Sequence, residues 1–326
     1  MSVDAELARA RARKHRETVR AGRRAGFLLA GVQKGGTSTL NAMLARHPEI
    51  ANSRPKELHY FDRERRGWDP PDYDAYHPGF RWSEAATIAG EATPNYVFWP
   101  GAMERIRAYN PEMKIILSFR DPVERAFSAW SMLMDRTDET PDFTDAITLV
   151  RPTRWPQTAA EAGAPSGAFV GRGYYAQQLT RVLELFPRDQ LLLLDYHHAF
   201  ADLRTTVDRM TDFLGVARFA EEPPEIHRRS QPTTLHASPP TAEDVAGLVA
   251  LYAEDLDAFG RLSGLDVSAW PTAKIARGQL AAADLATRLA AKATFSPRPA
   301  DAGPAVIVPD PIAAGSSDTS RGVDSS

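Results

Sequence analysis

The sequence predicts an α/β protein with a central parallel β-sheet flanked by helices, and three observations carry that expectation. Short apolar runs alternate with amphipathic segments of helical period along most of the chain, the pattern of parallel strands joined by helical crossovers. Met113 to Phe119 is continuously apolar in its centre and reads as a strand covered on both faces. Finally, Phe27 to Gly31 breaks at glycines and passes into a helix start, the strand–turn–helix unit that cradles anions.

Taken in order, the first strand leads into Val32-Gln33-Lys34-Gly35-Gly36 and then a helix whose Leu40, Met43 and Leu44 share one face. First-turn N–H groups and the helix dipole favour an anion there. Lys34 adds a full charge, while Gly35 and Gly36 let the backbone approach the ligand closely. The register differs from the nucleotide-triphosphatase loop G-x-x-x-x-G-K-[ST], because Gly35 follows Lys34 where that loop carries its magnesium-binding hydroxyl.

Residues 63–81 read as a long loop bearing aromatic side chains. With Trp82 they form either an acceptor wall (Trp68, Tyr73, Tyr76, Phe80) or a packed cover. Residues 87–91 have strand character, and 100–109 suit a helix. The 113–119 strand runs into Arg120-Asp121-Pro122, where proline opens a helix reaching about Met134. Residues 136–171 read as part helix and part loop. Then come a helix over 174–186, a strand over 190–196, a helix over 203–214 and a Pro/Arg/Thr-rich loop over 222–240. Thr241 and Asp244 begin a helix to Leu262.

The 326-residue chain is 43% apolar, carries a net charge of −3 and has no cysteine. That excludes disulfides, thiolate metal sites and a cysteine nucleophile, and gives no global nucleic-acid signature. No apolar run is long enough to span a membrane, so the expectation is a cytoplasmic protein with no nucleic-acid partner and no membrane span. Only six lysines occur among 39 basic residues, which makes Lys34 inside a glycine turn conspicuous. A second anion site is predicted where Arg120 ends a strand and Ser128 stands about two helical turns on, a guanidinium fork and a hydroxyl suited to phosphate. An Arg–Asp surface pair beside a buried serine is the other reading of that stretch.

Together these segments resemble the PAPS-dependent sulfotransferases (PAPS is 3′-phosphoadenosine 5′-phosphosulfate), particularly the heparan-sulfate branch and its bacterial relatives. The matching stretches are Gly31-Val32-Gln33-Lys34-Gly35-Gly36-Thr37, Lys56-Glu57-Leu58-His59-Tyr60-Phe61-Asp62, Gly90-Glu91-Ala92-Thr93-Pro94-Asn95-Tyr96 and Arg120-Asp121-Pro122-Val123-Glu124-Arg125-Ala126-Phe127-Ser128, in the family's order. The resemblance implies a P-loop-type three-layer fold over 26–272. By composition, residues 1–25 are expected to form a basic leading helix, and 273–326 a short helix followed by a disordered tail. The resemblance also implies that Gln33, Lys34, Gly35, Gly36, Thr37 and Ser38 hold the 5′-phosphosulfate, and Arg120 and Ser128 the 3′-phosphate. Glu57 maps to the general base, with Lys34 and His59 beside it in the catalytic set and Asp62 lining the same site. Burial against Leu58, Tyr60 and Phe61 is expected to raise the Glu57 pKa, with the nearby lysine opposing. The family's basic Lys-Gly-Arg loop near the 3′-phosphate has no clean match; Arg228, Arg229, Ser230 and His236 lie in the corresponding region, and the two arginines are expected to serve that phosphate.

No metal is implied, since a sulfuryl group carries less charge than a terminal phosphate. The acceptor would be a small molecule, sugar or lipid. Some heparan-sulfate relatives have arginine at the Ser38 position and lysine at the Ala92 position, and their absence argues against a glycosaminoglycan. A P-loop small-molecule kinase and a non-catalytic module that binds 3′,5′-ADP are the alternative functions.

Overall fold

The computed structural model describes residues 24–64, 66–135, 141–148, 158, 169–221 and 233–297. The expected leading helix, Arg228, Arg229 and the tail beyond 297 lie outside the described residues. Five parallel strands form the central sheet: β1 (Ala25–Gly31), β2 (Ile50–Asn52), β3 (Ile88–Glu91), β4 (Lys114–Phe119) and β5 (Leu191–Asp195), in the order β2-β3-β1-β4-β5. After β1 the chain moves to one side of the sheet, and after β3 it crosses to the other. The crevice at the carboxyl ends of β1 and β4 is therefore a topological switch point, where open α/β sheets bind ligands.

Side-chain alternation gives the sheet two apolar faces. Leu28 and Ala30 of β1 face α2 (Ala102–Tyr109) and α5 (Tyr175–Leu185), whereas Phe27 and Leu29 face α1 (Thr37–Leu44) and α7 (Leu203–Leu214). These are the three layers the sequence predicts. A second core sits beside them. It packs α3 (Pro122–Met134) and α4 (Phe143–Thr148) against the first half of α8 (Ala242–Ser263) and against α10 (Ala282–Ala290).

Several boundaries move for identifiable reasons. The 190–196 strand ends at Asp195, whose side chain accepts the His198 N–H and so begins a short helix, α6 (Tyr196–Ala201). Within the aromatic segment, Tyr73–Ala75 and His77–Gly79 form single 3₁₀ turns. The predicted loop over 222–240 contains β6 (Thr233–His236), which pairs in parallel with β7 (Ala293–Ser296). Beyond α8 the chain forms α9 (Pro271–Ala276) and α10, where the sequence suggested one short helix. Thr241 and Asp244 make the predicted capping box on α8.

Candidate active site

The turn after β1 is fastened to the end of β4. The Val32 N–H donates to the Ser118 carbonyl at 3.0 Å, and the Ser118 hydroxyl donates to the Gly35 carbonyl at 2.7 Å. A Cβ on Gly35 would lie 2.1 Å from the Ser118 carbonyl oxygen, so this turn tolerates no side chain there. Gly36 sits at φ 81° as the N-cap of α1, with no side chain capping the first turn and no acidic residue within it. The helix start thus opens on the switch-point crevice from an uncapped end, an arrangement that fits a phosphate or sulfate ester. Thr37 is buried, Gln33 half-buried and Ser38 exposed.

Lys34 reaches across this crevice to α3, its Nζ 3.4 Å from Met132 Sδ. Ser128 lies one turn before Met132, and Glu124 one turn before Ser128. The two predicted anion-binding segments therefore share one crevice. Arg120 is held from two sides, by Glu124 Oε2 at 3.3 Å from its Nε and by the Tyr196 ring 4.8 Å below its guanidinium. Tyr175 is fully buried and donates its hydroxyl to the Arg120 carbonyl at 2.8 Å, which makes it a core residue that fixes the Arg120 backbone.

Glu57, His59 and Asp62 form a chain. His59 Nε2 lies 3.5 Å from Glu57 Oε2, and His59 Nδ1 lies 2.8 Å from Asp62 Oδ2. Lys56 ion-pairs with the other Glu57 oxygen. Asp62 is buried and also accepts the Asn95 amide at 2.7 Å. The expected rise of the Glu57 pKa is reversed: burial does push it up, but the hydrogen bonds and charges of His59 and Lys56 prevail and bring it to about 2. Burial likewise lowers His59, yet Asp62 and Glu57 outweigh it and raise the imidazole to about 9. The raised imidazole of His59 thus lies between two carboxylates, one on each ring nitrogen.

Among the described residues, those other than glycine with positive φ are Lys34 (70°), Glu57 (63°) and His59 (50°). Left-handed backbone at bulky residues is costly and persists only where the surroundings enforce it. Around Glu57 and His59 the enforcement comes from the end of β3 and the segment that follows it. Fully buried Glu91 accepts the Leu58 N–H at 3.1 Å, the Thr93 hydroxyl at 2.6 Å, and the Tyr76 and Tyr96 hydroxyls at 2.8 Å each. The Tyr60 N–H donates to the Tyr96 hydroxyl at 2.9 Å, and Arg105 donates to the Phe61 carbonyl at 2.8 Å. Burial raises the Glu91 pKa against these donors. Polar residues at 91, 93 and 95 in an otherwise apolar, buried stretch are the sequence signal of this clamping role. Of the aromatic segment, Tyr76 and Phe80 are buried with Tyr60 and Phe61, as a packed cover.

With this geometry in place, similarity to known proteins defines the class. A family model described as Sulfotransferase domain matches residues 25–242, and the chain belongs to that family. Heparan sulfate glucosamine 3-O-sulfotransferase 6 of Homo sapiens is 31% identical over 198 residues, covering 59% of this chain and 52% of that protein. The bifunctional heparan sulfate N-deacetylase/N-sulfotransferase 3 of Homo sapiens is 30% identical over 209 residues, covering 58% of this chain and 22% of that protein. The chain thus matches about half the length of the first relative and less of the second. A sulfotransferase structure from Alicyclobacillus acidocaldarius aligns with a TM-score of 0.61 at 27% identity, covering 76% of this chain and 98% of that one. No helix among the described residues is long and apolar enough to cross a membrane, and no cluster there has the make-up of a metal site.

Proposed function

We propose that the protein transfers the sulfuryl group of PAPS to a hydroxyl or amine of a small-molecule, sugar or lipid acceptor and releases 3′,5′-ADP. The observation that carries this reading is the coincidence of strained backbone with chemistry. Among the described residues, Lys34, Glu57 and His59 are those other than glycine in left-handed backbone, and they are the three that the family resemblance assigns to the catalytic set. PAPS supplies the activated sulfuryl group, and in-line displacement asks the protein mainly for positioning and charge stabilisation.

The first turn of α1 with Lys34 would hold the 5′-phosphosulfate, and Lys34 would neutralise the charge left on the departing oxygen. Arg120 and Ser128 would hold the 3′-phosphate. Glu57 would take the acceptor's proton. Paired with Lys56 and His59, its carboxylate near 2 is too weak a base. An acceptor that displaces Lys56 removes an opposing partner and lets burial raise the pKa toward a useful value. The acceptor is read as lacking the dense negative charge of a glycosaminoglycan, because Ser38 and Ala92 supply no cation.

Calorimetry with 3′,5′-ADP, 5′-AMP and ATP–Mg²⁺ tests the donor. The expected order is 3′,5′-ADP tightest; equal affinity for 3′,5′-ADP and 5′-AMP would remove the role of Arg120 and Ser128. Preference for ATP–Mg²⁺ would make the protein a kinase. Radiolabelled PAPS incubated with a metabolite extract then identifies the acceptor. Glu57→Gln is expected to retain 3′,5′-ADP binding and lose transfer by about a hundredfold or more; unchanged transfer would leave Glu57 without its role.

A further inference from the structure

Glu124 is the hub of an ion-pair cluster that the two-phosphate scheme does not use. It is 7% exposed, and three basic side chains converge on its carboxylate, Arg120 from the preceding turn and His197 and Lys292 from distant parts of the chain. Arg120 Nε approaches Oε2 at 3.3 Å, His197 Nε2 approaches the same oxygen at 3.2 Å, and Lys292 Nζ donates to Oε1 at 2.9 Å. Burial pushes the Glu124 pKa up, but His197, Lys292 and Arg120 reverse this and hold it well below the carboxylate range. Two permanent cations and an imidazole thus share one negative charge, which leaves a surplus of positive charge on the α3 face that also carries Ser128.

Lys292 arrives there by a route outside the family's matched segment, which ends at residue 242. Helix α10 buries Leu285 and Leu289 in the second core, and β7 begins at the residue after Lys292. Parallel pairing of β7 with β6, from Thr233↔Ala293 to His236↔Ser296, fixes the register. A contact between Ser296 Oγ and His236 Nδ1 at 2.8 Å closes it. A flexible lysine side chain is thereby anchored at both flanks, with its ammonium beside Arg120 across a shared carboxylate.

We infer that Lys292 is a ligand of the nucleotide 3′-phosphate, supplied by the C-terminal α10–β7 segment to complete the site formed by Arg120 and Ser128. The inference rests on the PAPS reading above. Glu124 holds Arg120 on one carboxylate oxygen and Lys292 on the other. A dianionic phosphate placed against Arg120 offers Lys292 a stronger partner, and the ammonium turns to it while Glu124 keeps Arg120 and His197.

The test is calorimetry of the full chain with 3′,5′-ADP and 5′-AMP. Wild-type protein must first prefer 3′,5′-ADP; without that preference the two-phosphate reading itself falls, and this inference with it. Given the preference, Lys292→Gln is expected to weaken 3′,5′-ADP about tenfold, the scale of a charge-assisted hydrogen bond to phosphate, and to leave 5′-AMP unchanged. Lys292→Arg, which keeps the charge, should stay within about threefold of wild type. Equal loss for both nucleotides, or none for either, overturns the inference while the reading stands. Glu124→Gln/Lys292→Gln separates phosphate contact from simple neutralisation of Glu124. Persistent loss of 3′,5′-ADP affinity in the double variant supports contact, and restored affinity refutes it. Melting curves of each variant confirm that the fold is retained.

Discussion

His59 shows how two carboxylates fix the charge of a residue that sequence leaves ambiguous. Its imidazole is raised from 6.5 to about 9 because Asp62 and Glu57 favour the proton more than burial opposes it. The folded state therefore binds that proton more tightly than the unfolded chain does. The resulting stabilisation is complete below pH 6.5 and fades as the pH rises through about 9. Glu57 acts in the opposite window, since its carboxyl falls from 4.5 to about 2. Its contribution is present above pH 4.5 and is lost as the pH falls toward 2. Denaturant unfolding of the wild type should therefore show a loss of stability between pH 6.5 and 9 that His59→Gln flattens. Parallel wild-type and variant profiles across that window would show that His59 is neutral in the folded protein.

At the scale of elements, the segment from Glu91 to Tyr96 acts as a clamp on the Glu57–Asp62 turn. Tyr96 is the most testable part of it, because one hydroxyl accepts the Tyr60 N–H and donates to Glu91. Tyr96→Phe keeps the ring's packing and strands a buried N–H, a loss of about 1–3 kcal/mol. Denaturant unfolding should show that loss, and kcat for sulfuryl transfer should fall while 3′,5′-ADP affinity holds; a variant with wild-type kcat would separate the clamp from catalysis. Strands β1, β3, β4 and β5 of the central sheet were legible in the sequence because their apolar runs are local, whereas β2, only three residues long, was not. The glycine turn at 31–36 and the Arg120–Ser128 stretch were legible for the same reason, as each motif is contiguous. The Glu91 hub was not, since its donors come from residues 58, 76, 93 and 96 and only the fold unites them. The reversed Glu57 pKa was missed because His59 and Lys56 are visible in sequence but their distances from the carboxylate are not. Strand β6 escaped because four residues carry little period, and its partner lies near residue 293.

Across the whole molecule, the sheet domain and the second core are joined chiefly by one element. The first half of α8 buries Val245, Leu248 and Tyr252 in the second core, while Leu256 and Phe259 further along pack beneath the sheet. Tyr252 also donates its hydroxyl to the Val170 carbonyl at 2.8 Å, and Thr272 donates its N–H to buried Asp121 at the start of α3 at 2.8 Å. A helix continuous through both cores cannot lose its packing in one without disturbing the other, so the two should unfold together. Leu289→Ala tests this from the far end. Leu289 is fully buried on α10, and truncation removes its apolar contacts and leaves a cavity, at about 2–5 kcal/mol. Denaturation followed by tryptophan fluorescence and far-UV circular dichroism should move to lower denaturant as one coincident transition. The variant's 3′,5′-ADP affinity should stay near wild type under conditions where it is fully folded, because α10 then still delivers Lys292 to Glu124. Separate transitions for the two probes would mean that the α10–β7 segment unfolds on its own, and that the site it touches is exposed before the sheet gives way.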